Sequence, residues 1–226
     1  MWFNYFGAMI TLTEENYIKA IYQLGKYGTV NASTNSIADA LETKASSVTD
    51  MIKKLADKGY VNYKPYQGVK LTQKGKKIAA DVVRKHRLWE VFLVEKLNFS
   101  WDEVHDIAEQ LEHIKSEKLI NELDKLLDYP THDPHGDPIP DKSGDIKKTD
   151  KTLLFNLDEN AKGICVGVKD TSSAFLKYLD KYNIALGSKI TVLSKEAFDD
   201  SMVIQIGETT INISQVVANN LFIKEQ

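Results

Sequence analysis

Two stretches of this sequence crowd imidazoles and carboxylates at spacings that suit a divalent cation. In "VHDIAEQLEH", steps of three and four residues put His105, Glu109, Glu112 and His113 on one side of a helix. In "HDPHGD", Asp133 and His135 are packed into a few residues of loop-like chain. His86 and Glu90, four apart, share a face of another helix, and Glu15 and Asn16 lie near the N-terminus. Like charges so close repel unless a Lys or Arg side chain or a metal ion stands among them. Imidazoles with carboxylates are the donors of a divalent metal site. Taken singly, each group has a plainer reading. His86 beside Arg87 reads as a surface or phosphate-contacting histidine, Glu90 as a solvated helix residue, and Asp133–Gly136 as a turn. Their joint presence points to metal.

The elements that must position these groups follow from periodicity. Residues 13–27 carry Tyr17, Ile18, Ile21, Tyr22 and Leu24 at helical spacing, with Thr13 expected as the cap. A short helix at about 34–41 and a second at about 45–58 show facing apolar stripes, the pattern of a helix-turn-helix. Two short β-type runs around Pro65 and Gln67-Gly68 then make a hairpin, or wing. A long helix capped by Thr72 follows, then one from Ser100 or Asp102 to about Ile114 and one from Ser116 to about Leu127. The stretch 129–150 holds four of the five prolines and reads as a linker. Beyond it, short alternating runs and one helical stretch, "SSAFLKYLDKY", predict a small all-β barrel of about 75 residues. The expected fold class is a mainly α N-terminal winged helix-turn-helix with further helices, followed by a small all-β barrel. The expected domains are residues 9–72 for DNA binding, 73–140 for metal binding and dimerisation, 141–150 as linker and 151–226 as the barrel.

Charge is distributed unevenly beneath a net value of −3. From Lys44 to Arg87 there are 12 Lys/Arg against 3 Asp/Glu; from Ser100 to Asp128 there are 3 Lys against 9 Asp/Glu. The basic part suits a polyanion and the acidic part suits cations. A winged helix-turn-helix on a basic surface is a double-stranded DNA footprint. Ser46, Ser47 and Thr49, small and polar at the start of the second helix, allow close approach to bases and phosphates. Lys44, Lys53, Lys54, Lys64 and Lys70 supply backbone charge contacts. The plainer alternative is a solvated lysine face on a common three-helix unit. Apolar content of 42% and charged content of 27% fit an ordinary globular protein. No apolar run approaches the ~18 residues of a membrane span. The single Cys165 excludes an internal disulfide and fits a reducing cytoplasm. "MWFNYFGAMI" lacks a basic leader and is not read as a signal peptide; Met9 is an alternative start, with residues 1–8 an upstream extension.

The segments "TEENYIKAIYQL", "ASSVTDMIKKL", "RKHRLWEVFL", "VHDIAEQLEH" and "DPHGDPIP", in this order, resemble the DtxR/MntR family of metal-dependent transcriptional repressors. The resemblance runs from about Thr13 to Pro140 and implies that the helices after the wing form a helical dimerisation domain; the C-terminal barrel is similar to the FeoA-like, Src-homology-3-like domain of the longer members. It implies one metal site from Asn16, Glu109, Glu112 and His113, with His86 close by. It implies a second from His86 or Glu90, His105, Asp133, His135 and an acid of the barrel, for which Asp170 fits best. The chain departs from the family pattern in three places. Asn16 stands where Met or Asp is usual, Lys19 where short manganese-responsive members carry an acid, and Asp133 where many relatives have Cys. Iron-responsive members place Cys where this chain has Glu109.

These features together predict a repressor, not an enzyme, with Mn²⁺ as corepressor and Fe²⁺ as the main rival; Zn²⁺ or Co²⁺ would also bind in vitro. Double-stranded operator DNA ahead of metal-uptake genes and a second copy of the chain are the expected partners, with no membrane and no small organic substrate. The dimer contact is expected along Trp101, Val104, Ile107, Ala108, Leu111 and Ile114, a stripe equally readable as core. Two alternatives remain at this level. One is a winged-helix regulator answering to an organic ligand; the other is a dinuclear metallohydrolase, against which stand the missing nucleophile motif and phosphate loop.

Overall fold

The structure, a computed structural model, describes residues 10–65, 67–147 and 150–226; the proposed extension at 1–8 and the start at Met9 lie outside the described residues. The chain divides into two compact units. The first comprises residues 1–86, 110–116 and 140–146, and the second residues 87–109, 117–139 and 147–226.

In the first unit, helix α1 (Leu12–Leu24) is followed by α2 (Thr34–Ala40) and α3 (Ala45–Asp57), the hairpin β1 (Val61–Lys64) and β2 (Gly68–Leu71), and the start of α4 (Gln73–Leu97). Their apolar stripes meet in one core around the fully buried Ile18, Ile37, Val48, Ile52, Leu55 and Val69. The α2–α3 pair and the antiparallel hairpin, in register Val61↔Leu71 to Lys64↔Gly68, realise the winged helix-turn-helix pattern. Gly68 is required in the wing. Its φ is +82° and a Cβ there would lie 2.6 Å from the Ala32 carbonyl oxygen, beside the Ala32–Val69 bridge that ties the wing down.

The cap of α1 is Thr11, two residues before the expected Thr13. The reason is reciprocity. The Glu14 amide donates to Thr11 Oγ1 at 3.3 Å while the Thr11 amide donates to the Glu14 carboxylate at 3.1 Å, a capping box that Thr13, with Asn16 three residues on, does not offer. Thr72 caps α4 as expected, accepting from the Gly75 amide at 3.1 Å.

The second unit holds the rest of α4, most of α5 (Val104–Leu111), α6 (Glu117–Leu126), the loop 131–139 and the C-terminal sheet. The strands are β3 (Thr152–Leu153), β4 (Lys162–Val168), β5 (Lys189–Lys195), β6 (Met202–Ile206), β7 (Thr209–Ile213) and β8 (Leu221–Glu225), with α7 (Ser173–Lys181) and α8 (Gln215–Ala218) between them. All pairings are antiparallel, in the order β3-β8-β4-β5-β6-β7. The C-terminal part is the expected small β domain, and among the described residues its six strands form one antiparallel sheet. β3 is only two residues long and pairs with β8 alone, so among the described residues it and β7 remain edges. The expected helical stretch is α7, which buries Leu176 and Leu179 in the same core as Ile190, Ile204 and Ile223. At the start of the α5 segment, Asp102 accepts from Ser173 Oγ at 2.7 Å and pairs with Lys177 at 3.2 Å; hydrogen bonds from Ser100 and Ser173 outweigh its burial and hold its pKa down to about 2.

Glu14 generates a stability prediction. It is fully buried and meets Lys58 Nζ at 2.7 Å and Lys54 Nζ at 3.1 Å. Burial pushes its pKa up, but Lys58, the Thr11 amide and Lys54 outweigh this and hold it down to about 2. The folded state thus favours the charged form. Its contribution is complete above the unfolded value of about 4.3 and is lost as pH falls through the folded one. Glu14→Gln is expected to cost about 1–2 kcal/mol at pH 7, with the gap to wild type closing in denaturant melts as the pH is lowered toward 2.

Candidate metal centre

The second unit brings Glu90, Asp133 and His135 together. One carboxylate oxygen from each acid and one imidazole nitrogen lie within 4.8 Å of one another, and all three residues are buried. Glu90 comes from α4; the other two come from the loop 131–139. Asp133 shapes that loop, its Oδ1 accepting from the amides of His135 and Asp137, each at 2.9 Å. Its Oδ2 faces Arg87 Nε at 3.3 Å, and Arg87 also donates to the Pro138 carbonyl and lies 3.4 Å from Asp137. His135 Nε2 donates to the Trp101 carbonyl at 2.8 Å, which leaves Nδ1 turned to Glu90 at 3.8 Å. A carbonyl can only accept, so in the neutral ring Nδ1 carries the lone pair a metal needs. Trp101 stacks on the ring, with centroids 6.3 Å apart. His105 extends the group outward, 3.7 Å from Glu90 and 3.7 Å from Glu109.

The buried groups shift one another's titration. Burial pushes the Asp133 carboxyl up to about 7, with the Glu90 carboxylate adding to the rise and Arg87 opposing it. For His135 burial works downward, but the Glu90 carboxylate and Asp133 raise it to about 9. Two carboxylates and an imidazole, buried and preoriented, form a hard, oxygen-rich donor set for a divalent ion.

In the first unit the groups meet differently. Glu112 is fully buried, with His86 Nδ1 at 2.6 Å and Lys19 Nζ at 2.5 Å from its Oε2. Lys19 Nζ is also 3.2 Å from His86 Nδ1. His113 Nδ1 lies 2.7 Å from Glu15 Oε2 and its Nε2 lies 3.8 Å from Glu112 Oε1. Asn16 Oδ1 and Glu112 Oε1 are buried without a hydrogen-bond partner.

The remaining predicted residues are placed as follows. Asp170 accepts from the Ser172 amide at 2.8 Å, turning the chain into α7, and is in no such donor group. Lys44, Ser46, Ser47, Lys53, Lys64 and Lys70 are exposed on the helix-turn-helix and wing. Thr49 back-bonds to the Ala45 carbonyl at 3.0 Å, and Lys54 is tied to Glu14. Lys53 lies 3.8 Å from Asp50.

Comparison with known proteins bears on all of this. Residues 9–69 match the N-terminal DNA binding domain of the iron dependent repressors, residues 72–141 their metal binding and dimerisation domain, and residues 152–225 the FeoA domain. An uncharacterized HTH-type transcriptional regulator of Methanocaldococcus jannaschii is 38% identical over 109 residues, 48% of this chain and 87% of that protein. A solved structure described as a manganese-dependent transcriptional repressor complex with manganese has a TM-score of 0.85 at 31% identity, over 94% of this chain and 100% of that one. The chain belongs to the iron-dependent repressor family. This DtxR/MntR family is one of transcriptional repressors and not of enzymes. The iron-dependent repressor IdeR of Mycobacterium bovis is 36% identical over 128 residues, 57% of this chain and 55% of that protein, so the chain spans about half the length of the curated relatives it matches. Among the described residues no helix is long and apolar enough to cross a membrane.

Within this family frame, three participants escaped the motif reading: Arg87, which staples the loop; the Trp101 carbonyl, which orients His135; and Lys19, noticed only as a departure. Lys19 lies four residues from Glu15 on α1, and that spacing was the available signal.

The loop is also pinned to the sheet. β4 pairs with β5 only over Lys162–Ile164 and bulges between Cys165 and Gly167. The Val168 amide then donates to the His135 carbonyl at 2.9 Å. Gly136, at φ +82°, passes so close that a Cβ would stand 2.1 Å from the Val166 oxygen. Gly136→Ala therefore meets both left-handed strain and a backbone clash. A loss of more than about 2 kcal/mol is expected, read in thermal or denaturant melts. Weakened Mn²⁺ binding in calorimetry should accompany it, since His135 must move with the loop.

Proposed function

We propose that this chain is a metal-responsive transcriptional repressor. It binds double-stranded operator DNA as a homodimer in the cytoplasm, with Mn²⁺ as corepressor and Fe²⁺ as the chief rival, and controls metal-uptake genes. The reading assigns residues 9–72 to DNA binding, 73–140 to metal binding and dimerisation, 141–150 to a linker and 151–226 to the C-terminal domain. The observation that carries it is the buried Glu90–Asp133–His135 group. A divalent ion there would be met by two buried carboxylate oxygens and one imidazole nitrogen within 4.8 Å of one another. The chain's own residues do the rest. Arg87 and Asp133 set the loop, the Trp101 carbonyl presents Nδ1 of His135, and the His135 carbonyl holds β4. His105 and Glu109 continue the donor row toward solvent.

For DNA, the support is the exposed start of α3. No side chain caps its first amides, and Ser46 and Ser47 leave room for a phosphate or a base edge. Lys44, Lys53, Lys64 and Lys70 supply charge around it. For the dimer, Val104 and Ala108 are buried, whereas Ile107, Leu111 and Ile114 are only half-buried, which leaves apolar surface for a second copy.

The test is anisotropy on a palindromic fragment of its own promoter at fixed salt, first in chelator and then with Mn²⁺ or, anaerobically, Fe²⁺. Metal is expected to tighten binding by at least about tenfold, roughly 1.4 kcal/mol of differential affinity between the two states. Glu90→Gln and His135→Ala should abolish the response while leaving the weak metal-free binding. Binding indifferent to chelator would favour the organic-ligand regulator instead.

A further inference from the structure

The cluster in the first unit has the donors of a metal site and already holds an ammonium in contact with two of them. Lys19 is 5% exposed, and its ammonium sits 2.5 Å from Glu112 Oε2 and 3.2 Å from His86 Nδ1, two atoms themselves 2.6 Å apart. A divalent ion bridging Glu112 and His86 would need the same space. It would place two positive charges beside the ammonium at contact distance in a desolvated site, where their repulsion is poorly screened. Ammonium and ion thus exclude each other. The rest of the cluster favours the ammonium. Asn16 offers a neutral oxygen, and His113 is engaged by Glu15 at 2.7 Å.

We propose that Lys19 is a cation built into the chain at the Glu112–His86 pair, so that this cluster is assembled without metal. The subunit then takes a single ion, at Glu90, Asp133 and His135; this second half rests on the function proposed above. Two further atoms bear on what the cluster becomes without Lys19. Asn16 Oδ1 and Glu112 Oε1 are buried acceptors without hydrogen-bond partners. Removing the ammonium should therefore open a latent ion site.

The experiment counts Mn²⁺ per subunit by equilibrium dialysis with metal analysis on the full chain, alongside metal-free melting temperatures. Wild type should bind one ion, Lys19→Ala two, Lys19→Arg one, and His135→Ala none. Metal-free Lys19→Ala should melt lower, because Glu112 loses its partner, and Mn²⁺ should restore it more than it raises wild type. Should Lys19→Ala not fold, Glu112→Gln decides. It should keep one ion if Lys19 fills the cluster, and lose one if a metal does. Two ions on wild type falling to one in Glu112→Gln, or no ion gained by a folded Lys19→Ala, would overturn the proposal. No ion on wild type but one on Lys19→Ala would uphold Lys19 as the built-in cation while sinking the Glu90–Asp133–His135 metal reading.

Discussion

A carboxylate taken out of water has to meet positive charge, and both units are organised around that requirement. Removing one partner of such a pair typically costs ~3–5 kcal/mol, because the other stays buried and uncompensated. The first unit meets the requirement from its own chain: Glu14 with Lys58 and Lys54, Glu112 with Lys19. The second meets it only in part. Arg87 answers Asp133, yet Glu90 lies close enough that the Asp133 carboxyl is still driven up to about 7. A cluster that holds an ammonium at contact differs from one in which Glu90 still raises the Asp133 carboxyl, and under the proposed function only the latter's deficit is met by an ion.

A deficit becomes a signal only if the donors can report it. Here the reporting element is backbone. The loop 131–139 gives Asp133 and His135 to the donor group and, through the His135 carbonyl and Gly136, touches β4 where the bulge has broken its regular pairing. Both contacts involve main-chain atoms, so a shift of the loop on ion binding moves a strand rather than a solvated side chain. Arg87 limits the alternatives by holding Pro138 and Asp137 from the α4 side.

The helices were legible because each carries a 3.6-residue apolar stripe, and the wing because two short β runs flank Gln67-Gly68. Capping was misplaced at Thr13 because one good cap residue looks like another until the reciprocal Glu14 is considered. The C-terminal β domain was legible from its alternating runs, although β3, with only two residues, is too short to show a period. The proline-rich 129–150 stretch read as linker. Yet its first half is a folded loop with Ile139 and both donors buried, since its polar side chains satisfy its own amides. Asp170 was matched by position alone, and its Oδ1 accepts from the Ser172 amide in a local turn.

Donor chemistry also bears on which ion the proposed site would answer to. Carboxylates at 90 and 133 with one imidazole present no soft atom, whereas a thiolate at either place would favour softer ions. Intrinsic affinity still rises from Mn²⁺ toward Zn²⁺ for nearly any such set. Selectivity for Mn²⁺ therefore cannot come from affinity alone. It has to come from coordination number, and His105 and Glu109 in the row beyond Glu90 are where further ligands could be recruited. An ion content with four close ligands would leave that row slack, while one that takes six would draw it in. On this argument the outer pair, half exposed and 3.7 Å apart, is where the proposed site would discriminate among ions that the inner three would all bind.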